Sequence, residues 1–593
     1  MLPSAAVAAI LRGLRAQLRE DGDLNALMVG ATCEEPDLTY EDEVYEEFRD
    51  NITGQVLDHD AVKKARAEEL TLIDKLGVWV EVPEAQCYQS TGRAPISTRW
   101  VDINKGDDER VEIRSRLVAR ELKAQQQREG QIRDDVFSAT PPHEGIRLLF
   151  SLAMTEDGVD DKKMIFIDIS RAHFHSPARR EIYVALPPER GRPGFCAKLQ
   201  KSMYGTRDAA ANFASMVMDT LRGMGFEIGV FNPCLCRHAC RGLMLFYHGD
   251  DFVCLGPADN IQWFADALNK HLIVKVRGVL GGGDNDLKEI TLLNRIVRWG
   301  ATQNGTSFLE WEADPRHAEI IIKQLGLNGA MKAKAVSTPG LKKTLAELTG
   351  SDELVGDAIS NYRSICVRIN YLAMDRPELL YAAKEAARWM AHPTATAMEM
   401  IKRVGRYLVG SPRLVQQMVM QPRVGKLTCK VDADHAGCLR TRRSTTGLAL
   451  FHGSHLIKAS SHMQTVQALS TAESEFYAIV RGTAVGLGAV SMGRDYGVGF
   501  KLEVATDASA GRGIALRLGA GKLRHLHTQY LWAQGVYHRR EAVLIKIPGL
   551  SNEADLMTKH LAAPRMQELL RQAGFQVRAG RSKLGLRAAA TTP

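Results

Sequence analysis

Short apolar runs in this chain tend to end on acids. Leu243 to Tyr247 is apolar, His248-Gly249-Asp250-Asp251 follows, and Phe252 to Leu255 is apolar again. Gly249 supplies turn chemistry, so the pattern predicts a β-hairpin with two carboxylates at its tip. Met164 to Ile169 is a β-branched and aromatic run with Asp168 near its end, which predicts another strand. Lys430 to Gly437 reads as a strand running into Asp432 and Asp434, and Leu502 to Ala510 as a strand ending on Asp507. Ser470-Thr471 ahead of Glu473 and Glu475 predicts a helix start, with a hydroxyl cap and acids in the first turns. Asn552 to Lys559 predicts a second helix start, carrying Asp555. The Ala-rich stretches Leu379 to Met390 and Met398 to Leu408 predict further helices.

These acids have more than one reading. Adjacent like charges on a tight turn repel, and a bound divalent cation relieves them. Hard carboxylate oxygens suit Mg²⁺, which keeps some waters and takes one or two protein ligands plus substrate phosphates. A polar hairpin tip with no role is the plain alternative at Asp250 and Asp251. Asp168 reads either as a cap for the following turn or as a further ligand. Phosphoryl transfer by two metal ions needs several carboxylates converging on ions roughly 3.5–4 Å apart. Taken singly, each acid of the last third reads as a helix cap or a surface charge.

Taken together, the motifs resemble the reverse transcriptase of copia-type LTR retrotransposons. The similarity is collinear: Trp100-Val101-Asp102 with Asn104-Lys105-Gly106, then Ser115 to Arg120, Asp135 to Pro142, and Asp168. Lys198-Leu199, Met203 to Arg207, His248 to Asp251, Ser337-Thr338-Pro339, Tyr362-Arg363-Ser364, Tyr371-Leu372-Ala373 and Arg376-Pro377 follow in order. In the last third, Asp432, Glu475, Asp507 and Asp555 resemble the Asp-Glu-Asp-Asp set of that family's RNase H domain. Arg442 to Gly447 and Ser460 to Gln464 resemble its flanking segments.

The resemblance implies a multidomain α/β and α+β chain: a right-hand polymerase of fingers, palm and thumb, followed by an RNase H-like domain built on a mixed sheet. The implied divisions are 1–69, a linker or polyprotein segment, partly disordered; 70–330, fingers and palm; 331–425, thumb or connection; 426–565, RNase H-like; and 566–593, a disordered basic tail. Asp168, Asp250 and Asp251 would hold two Mg²⁺ ions (Mn²⁺ being an alternative), and Asp432, Glu475, Asp507 and Asp555 a second pair. Asp434 and Glu473 are near-neighbours that could exchange places with Asp432 and Glu475. Arg114, Arg116 and Arg207 are candidates for the triphosphate, or equally solvated surface arginines. Tyr204 and Gly205 would shape the nucleotide pocket. His173 stands where the family commonly has an aromatic residue against the sugar. His248-Gly249 replaces its common Tyr-Val. His525 and His527 resemble the family's Lys-His-Ile stretch, with a structural role as the plainer reading. The implied partners are an RNA template, a DNA primer, an RNA–DNA hybrid, dNTPs and other parts of the Pol polyprotein.

Composition changes this picture little. The chain has 593 residues, a net charge of +8, 45% hydrophobic and 25% charged residues. Those values fit a globular protein with a polyanionic partner without requiring one. The ten cysteines have no paired disulfide spacing. With no evident secretory signal, an intracellular setting is expected, in a cytoplasmic particle or the nucleus. No membrane-spanning run is expected. Cys234, Cys236, His238 and Cys240 alternate as one face of a strand would, and packing is favoured over zinc because paired Cys-x2–4-Cys spacing is missing. Three functions are compatible with these residues: an active polymerase–nuclease, a decayed or host-retained copy that binds nucleic acid without turnover, and a structural component of a particle. The presence of all seven acids favours the first.

Overall fold

The computed structural model describes residues 48–586, apart from 52–54, 107–110, 122–136, 159–160, 329–333, 522 and 524. The expected N-terminal segment up to residue 47, the Asp135-Val136 part of one motif, and residues 587–593 of the expected tail lie outside the described residues.

A six-stranded antiparallel sheet forms around the run Lys162–Ile169. Its strand order is Val274–Leu280, Lys162–Ile169, Asp251–Pro257, Leu243–His248, Leu235–His238 and Glu227–Ile228. The period-2 rule shows directly in the central strand. Ile165, Ile167 and Ile169 pack against helices Ala209–Gly223 and Ala258–Asn269. Met164 and Phe166 pack on the other face, in the core that helix His143–Ala153 enters. Both faces are covered, so the strand reads as an unbroken apolar run until Asp168. Cys236 is buried in this sheet and Cys234 just ahead of the strand, while His238 ends the strand and Cys240 is exposed beyond it. Packing, not a four-ligand face, accounts for that alternation.

Ahead of this sheet, Thr98–Asn104 and Ile113–Ala119 form a hairpin. Trp79–Pro83, Phe195–Leu199 and Tyr183–Ala185 form a three-stranded sheet. Helix His59–Leu76 buries Val62, Leu70 and Ile73. This corrects the expected linker up to residue 69: its last eleven residues belong to an amphipathic helix packed against the hairpin.

Two expected boundaries move. Strand Ser307–Glu312 pairs with Arg413–Val419, so one antiparallel sheet crosses the division placed at 330. Its far edge is Phe575–Arg578, which pairs with Arg413–Val419. The stretch expected to be a disordered basic tail therefore contains most of helix Ala563–Gln572, with Leu569 and Leu570 buried, and this edge strand. The tail's charge has partners far upstream. Arg578 Nη1 donates to Glu310 Oε2 at 2.8 Å, and Arg581 Nε donates to Glu319 Oε1 at 2.5 Å. A lone run of arginines reads as solvated until those carboxylates are brought to it.

The last sheet is mixed, in the order His455–Met463, Thr445–His452, Lys426–Ala433, Lys501–Thr506, Ala542–Lys546. The first three strands are antiparallel and the last two join in parallel. Helix Thr471–Asp495 lies across it. Contrary to expectation, this one helix among the described residues has the length and apolar character of a membrane span. Its burial explains that character, since Phe476, Ile479, Gly482 and Gly486 pack into the sheet's core. The modules are joined tightly. The Asp495 carboxylate accepts the backbone N–H groups of Val230 and Asn232 (2.9 Å each). Ser151 Oγ sits between His452 Nδ1 (2.7 Å) and His455 Nδ1 (2.8 Å).

Candidate active sites

At the hairpin tip His248 pairs with Asp251, leaving Gly249 and Asp250 as a two-residue turn. Gly249 has φ +60°, the left-handed backbone that this position requires. On the other side Asp251 pairs directly with Asp168. Ile169 N–H donates to the Asp250 carbonyl at 2.9 Å, fixing the turn against the neighbouring strand. Three carboxylates thus meet at one end of the six-stranded sheet. Burial, with Asp250 beside it, pushes the Asp251 carboxyl up to about 6, against the pull of Arg277. Arg277 Nη1 lies 3.4 Å from Asp251 Oδ1, and its Nη2 is held by the Thr291 carbonyl (2.7 Å). Lys105, at the turn of the Thr98–Ala119 hairpin, reaches the same charges. Burial and Arg114 lower its ammonium, while Asp168 and Asp250 oppose that.

Beside the carboxylates is a stacked wall. The His173 and Tyr204 rings are 4.6 Å apart, and the Arg116 guanidinium lies 4.5 Å from the Tyr204 ring centre. His173 Nδ1 is buried without a hydrogen-bond partner. Burial keeps the imidazole below its ordinary pKa, with Asp250 pulling the other way. Gly205 follows at φ +84°, and a Cβ there would lie 2.0 Å from the Ala119 carbonyl oxygen. Only glycine permits this approach, which brings the Tyr204 loop onto the hairpin through Ala119 N–H to Tyr204 O (2.7 Å). Arg207 lies further along that loop, where its backbone N–H donates to Glu121 at 2.9 Å.

The second carboxylate set stands at the C-terminal ends of the parallel strands. Lys430 pairs with Ala505, so Asp432 and Asp507 are each two residues beyond that pair. Helix Thr471–Asp495 brings Glu475, and the short helix Glu553–Met557 brings Asp555. Burial, then Asp432 and Asp507, push Glu475 up to about 8, and its Oε2 is buried without a partner. Burial pushes Asp432 up to about 6, against Lys559 and Thr558. Thr558 Oγ1 donates to Asp432 at 2.5 Å. Lys559 Nζ lies 2.5 Å from Asp555 and 3.7 Å from Asp432. The near-neighbours are engaged elsewhere. Asp434 accepts the Thr445 N–H, and Glu473 is bonded by Tyr477 (2.6 Å) and His525 (2.9 Å). His525 thus braces the helix start, while His527 lies 6.4 Å from the Tyr530 ring.

Both sets offer crowded oxygen donors of the kind a hard divalent cation satisfies, half-buried at the first site and mostly buried at the second. Among the described residues no three His, Cys, Asp or Glu side chains already form a metal cage. Cationic side chains, Arg277 at one site and Lys559 at the other, stand against the carboxylates instead. Sequence reading passed over Lys105, Arg171, Arg277, Lys559 and Glu69. Lys105 and Lys559 lay within quoted motifs. Glu69 left a fainter signal, an acid within the buried stripe Val62, Ala65, Ile73.

Residues 87–281 match the family model for reverse transcriptase (RNA-dependent DNA polymerase). The chain is 25% identical over 544 residues to a retrovirus-related Pol polyprotein from transposon TNT 1-94 of Nicotiana tabacum, covering 85% of this chain and 37% of that protein. It is 25% identical over 399 residues to the Pol polyprotein from transposon RE1 of Arabidopsis thaliana, covering 65% of this chain and 25% of that one. The chain thus spans about a quarter to two-fifths of these relatives' length. Among solved structures, a foamy viral protease-reverse transcriptase in complex with dsDNA aligns over 86% of this chain and 90% of its own, with 12% identity and a TM-score of 0.48.

Proposed function

From a chain that belongs to the copia-type retrotransposon Pol polyproteins, with their reverse transcriptase domain at residues 87–281, we infer two activities: RNA-templated DNA synthesis and cleavage of the RNA strand of the resulting hybrid. One observation carries the reading. Asp168 and Asp251 face each other across adjacent strands, with Asp250 in the turn beside them. The six-stranded sheet then acts as a palm and the Thr98–Ala119 hairpin as fingers.

Asp168, Asp250 and Asp251 would hold divalent cations at the first site, and Asp432, Glu475, Asp507 and Asp555 at the second. When bound, such ions lower the pKa of the attacking hydroxyl or water and offset phosphate charge. The chain's own groups do the rest. Lys105, Arg114 and Arg116 present cations from the hairpin toward a triphosphate, for which a guanidinium is well matched. Tyr204 and His173 form an apolar wall against the base and sugar. His173 Nδ1 has no hydrogen-bond partner among the described residues, and a turn of the ring would bring it to a sugar hydroxyl. At the second site, Lys559 and Arg565 contact Asp555 and hold it in place (Arg565 Nη2 at 3.3 Å). RNA there is distinguished from DNA by its 2′-hydroxyls.

The test is a crossed pair. Asp250→Asn is expected to abolish primer extension on an RNA template while sparing hybrid cleavage. Glu475→Gln is expected to do the reverse, since a neutral amide is a poor ligand for a hard cation. Loss of both activities from either folded variant counts against two separate sites. Hybrid binding by the wild-type chain without extension or cleavage at any Mg²⁺ concentration identifies a decayed copy.

A further inference from the structure

We propose that Glu69 is a positioning residue for the nucleotide pocket, holding both of its walls in register from a helix that precedes the polymerase motifs. The inference rests on reading the Asp168 site as a polymerase.

Glu69 lies on the inner face of helix His59–Leu76, and its side chain is 0% exposed. A carboxylate so buried is tolerated when opposite charges meet it. Arg171 Nε donates to its Oε2 at 2.5 Å. Arg116 Nη1 approaches its Oε1 at 3.9 Å, and neither of those two atoms has a hydrogen-bond partner. Burial raises the Glu69 carboxyl, and Arg171 and Arg114 pull it back.

The two arginines come from opposite sides of the pocket. Arg116 belongs to the hairpin strand and stacks on Tyr204. Arg171 sits three residues beyond Asp168 and caps the short helix Ala172–His175, which carries His173. Arg171 has φ +56°, a left-handed backbone that is uncommon and costly outside glycine and asparagine. A strained turn persists when surrounding contacts over-determine it, and the Glu69 ion pair is such a contact. The ring closes through His173 against Tyr204 and Tyr204 under Arg116. Glu69 touches neither the three aspartates nor the space in front of them. It acts through the orientation of the groups that do.

The consequence is specific. Neutralising Glu69 removes the tie on the Arg171 turn and leaves the Arg116 guanidinium without its counter-charge. Nucleotide binding and sugar selection should then suffer more than the chemical step. In steady-state primer extension, Glu69→Gln is expected to raise KM for dNTP about tenfold, the scale of losing a buried charge-assisted hydrogen bond, with kcat much less affected. The ratio of dNTP to rNTP incorporation should change in the same variant, because His173 moves with the turn. Arg171→Lys keeps the charge but loses the Nε geometry and should reproduce both effects. It decides the matter if Glu69→Gln fails to fold, as judged by its melting temperature and by hybrid cleavage. Unchanged KM and sugar ratio in folded variants overturn the proposal. A kcat loss at constant KM also overturns it. Absence of extension by the wild-type chain strikes the polymerase reading instead.

Discussion

At the scale of single residues, the pocket depends on what stands at 173 and 205. Gly205 is committed by its φ of +84° and by the Ala119 carbonyl that leaves no room for a Cβ. His173 is freer. It is half-buried, stacked on Tyr204, and its Nδ1 has no partner. On the proposed reading, in which this ring faces the sugar, a phenol would extend further toward it than an imidazole does. His173→Tyr is therefore expected to raise the preference for dNTPs over rNTPs, by roughly 10–200-fold if one steric or hydrogen-bond contact is at stake. The ratio of kcat/KM for the two substrates measures it. An unchanged ratio in an active variant places the ring away from the sugar.

At the scale of elements, the sheet that begins at Glu289–Leu292 is completed only by Phe575–Arg578. Helix Ala563–Gln572 and this strand bury Leu569, Leu570 and Phe575, each worth roughly 1.5–3 kcal/mol when removed from water. They also bring Arg578 to the buried Glu310. A chain ending at residue 562 is expected to lose several kcal/mol and to unfold at distinctly lower urea concentration. A dispensable tail would leave the midpoint unchanged. The same region is tied inward by Asp375, which accepts from Arg147 (3.0 Å), Arg295 (2.9 Å) and the Trp311 indole (2.8 Å). Burial alone would raise this carboxyl, and Arg295, His143 and Arg147 overcome it and hold it far below the ordinary range.

At the scale of the whole molecule, buried histidines make the joints acid-sensitive. Burial lowers His455, at the Ser151 contact, to about 4, with the nearby His452 adding to the effect. His560 is likewise lowered to about 4, by burial first and then by Lys342, Lys384 and Arg403 against Glu385. In the unfolded chain these groups titrate near 6.5. Between roughly pH 4 and 6.5 the unfolded state therefore binds more protons, and stability rises with pH there. The contribution is complete above about pH 6.5 and falls away as pH drops toward 4. Urea unfolding at pH 7 and pH 5 should show a smaller loss for His455→Gln than for wild type. Equal losses would mean that His455 is not held neutral at this joint.

The carboxylates at strand ends and helix starts were legible before any fold was known, because those signals are local. A glycine at a turn, an acid closing an apolar run and a hydroxyl before two glutamates each act over a few residues. The mixed sheet of the last third was expected only through the family resemblance, since its parallel pairings join distant segments. The Arg171–Glu69 pair joins residues 102 apart, and Arg578 reaches Glu310 across 268. Nothing in either segment names its partner. The tail looked solvated and the first helix looked like a linker because charge was visible in the sequence while its burial was not. Burial belongs to packed surfaces, and it turned Glu69 from a helix acid into the link between the two walls of a pocket.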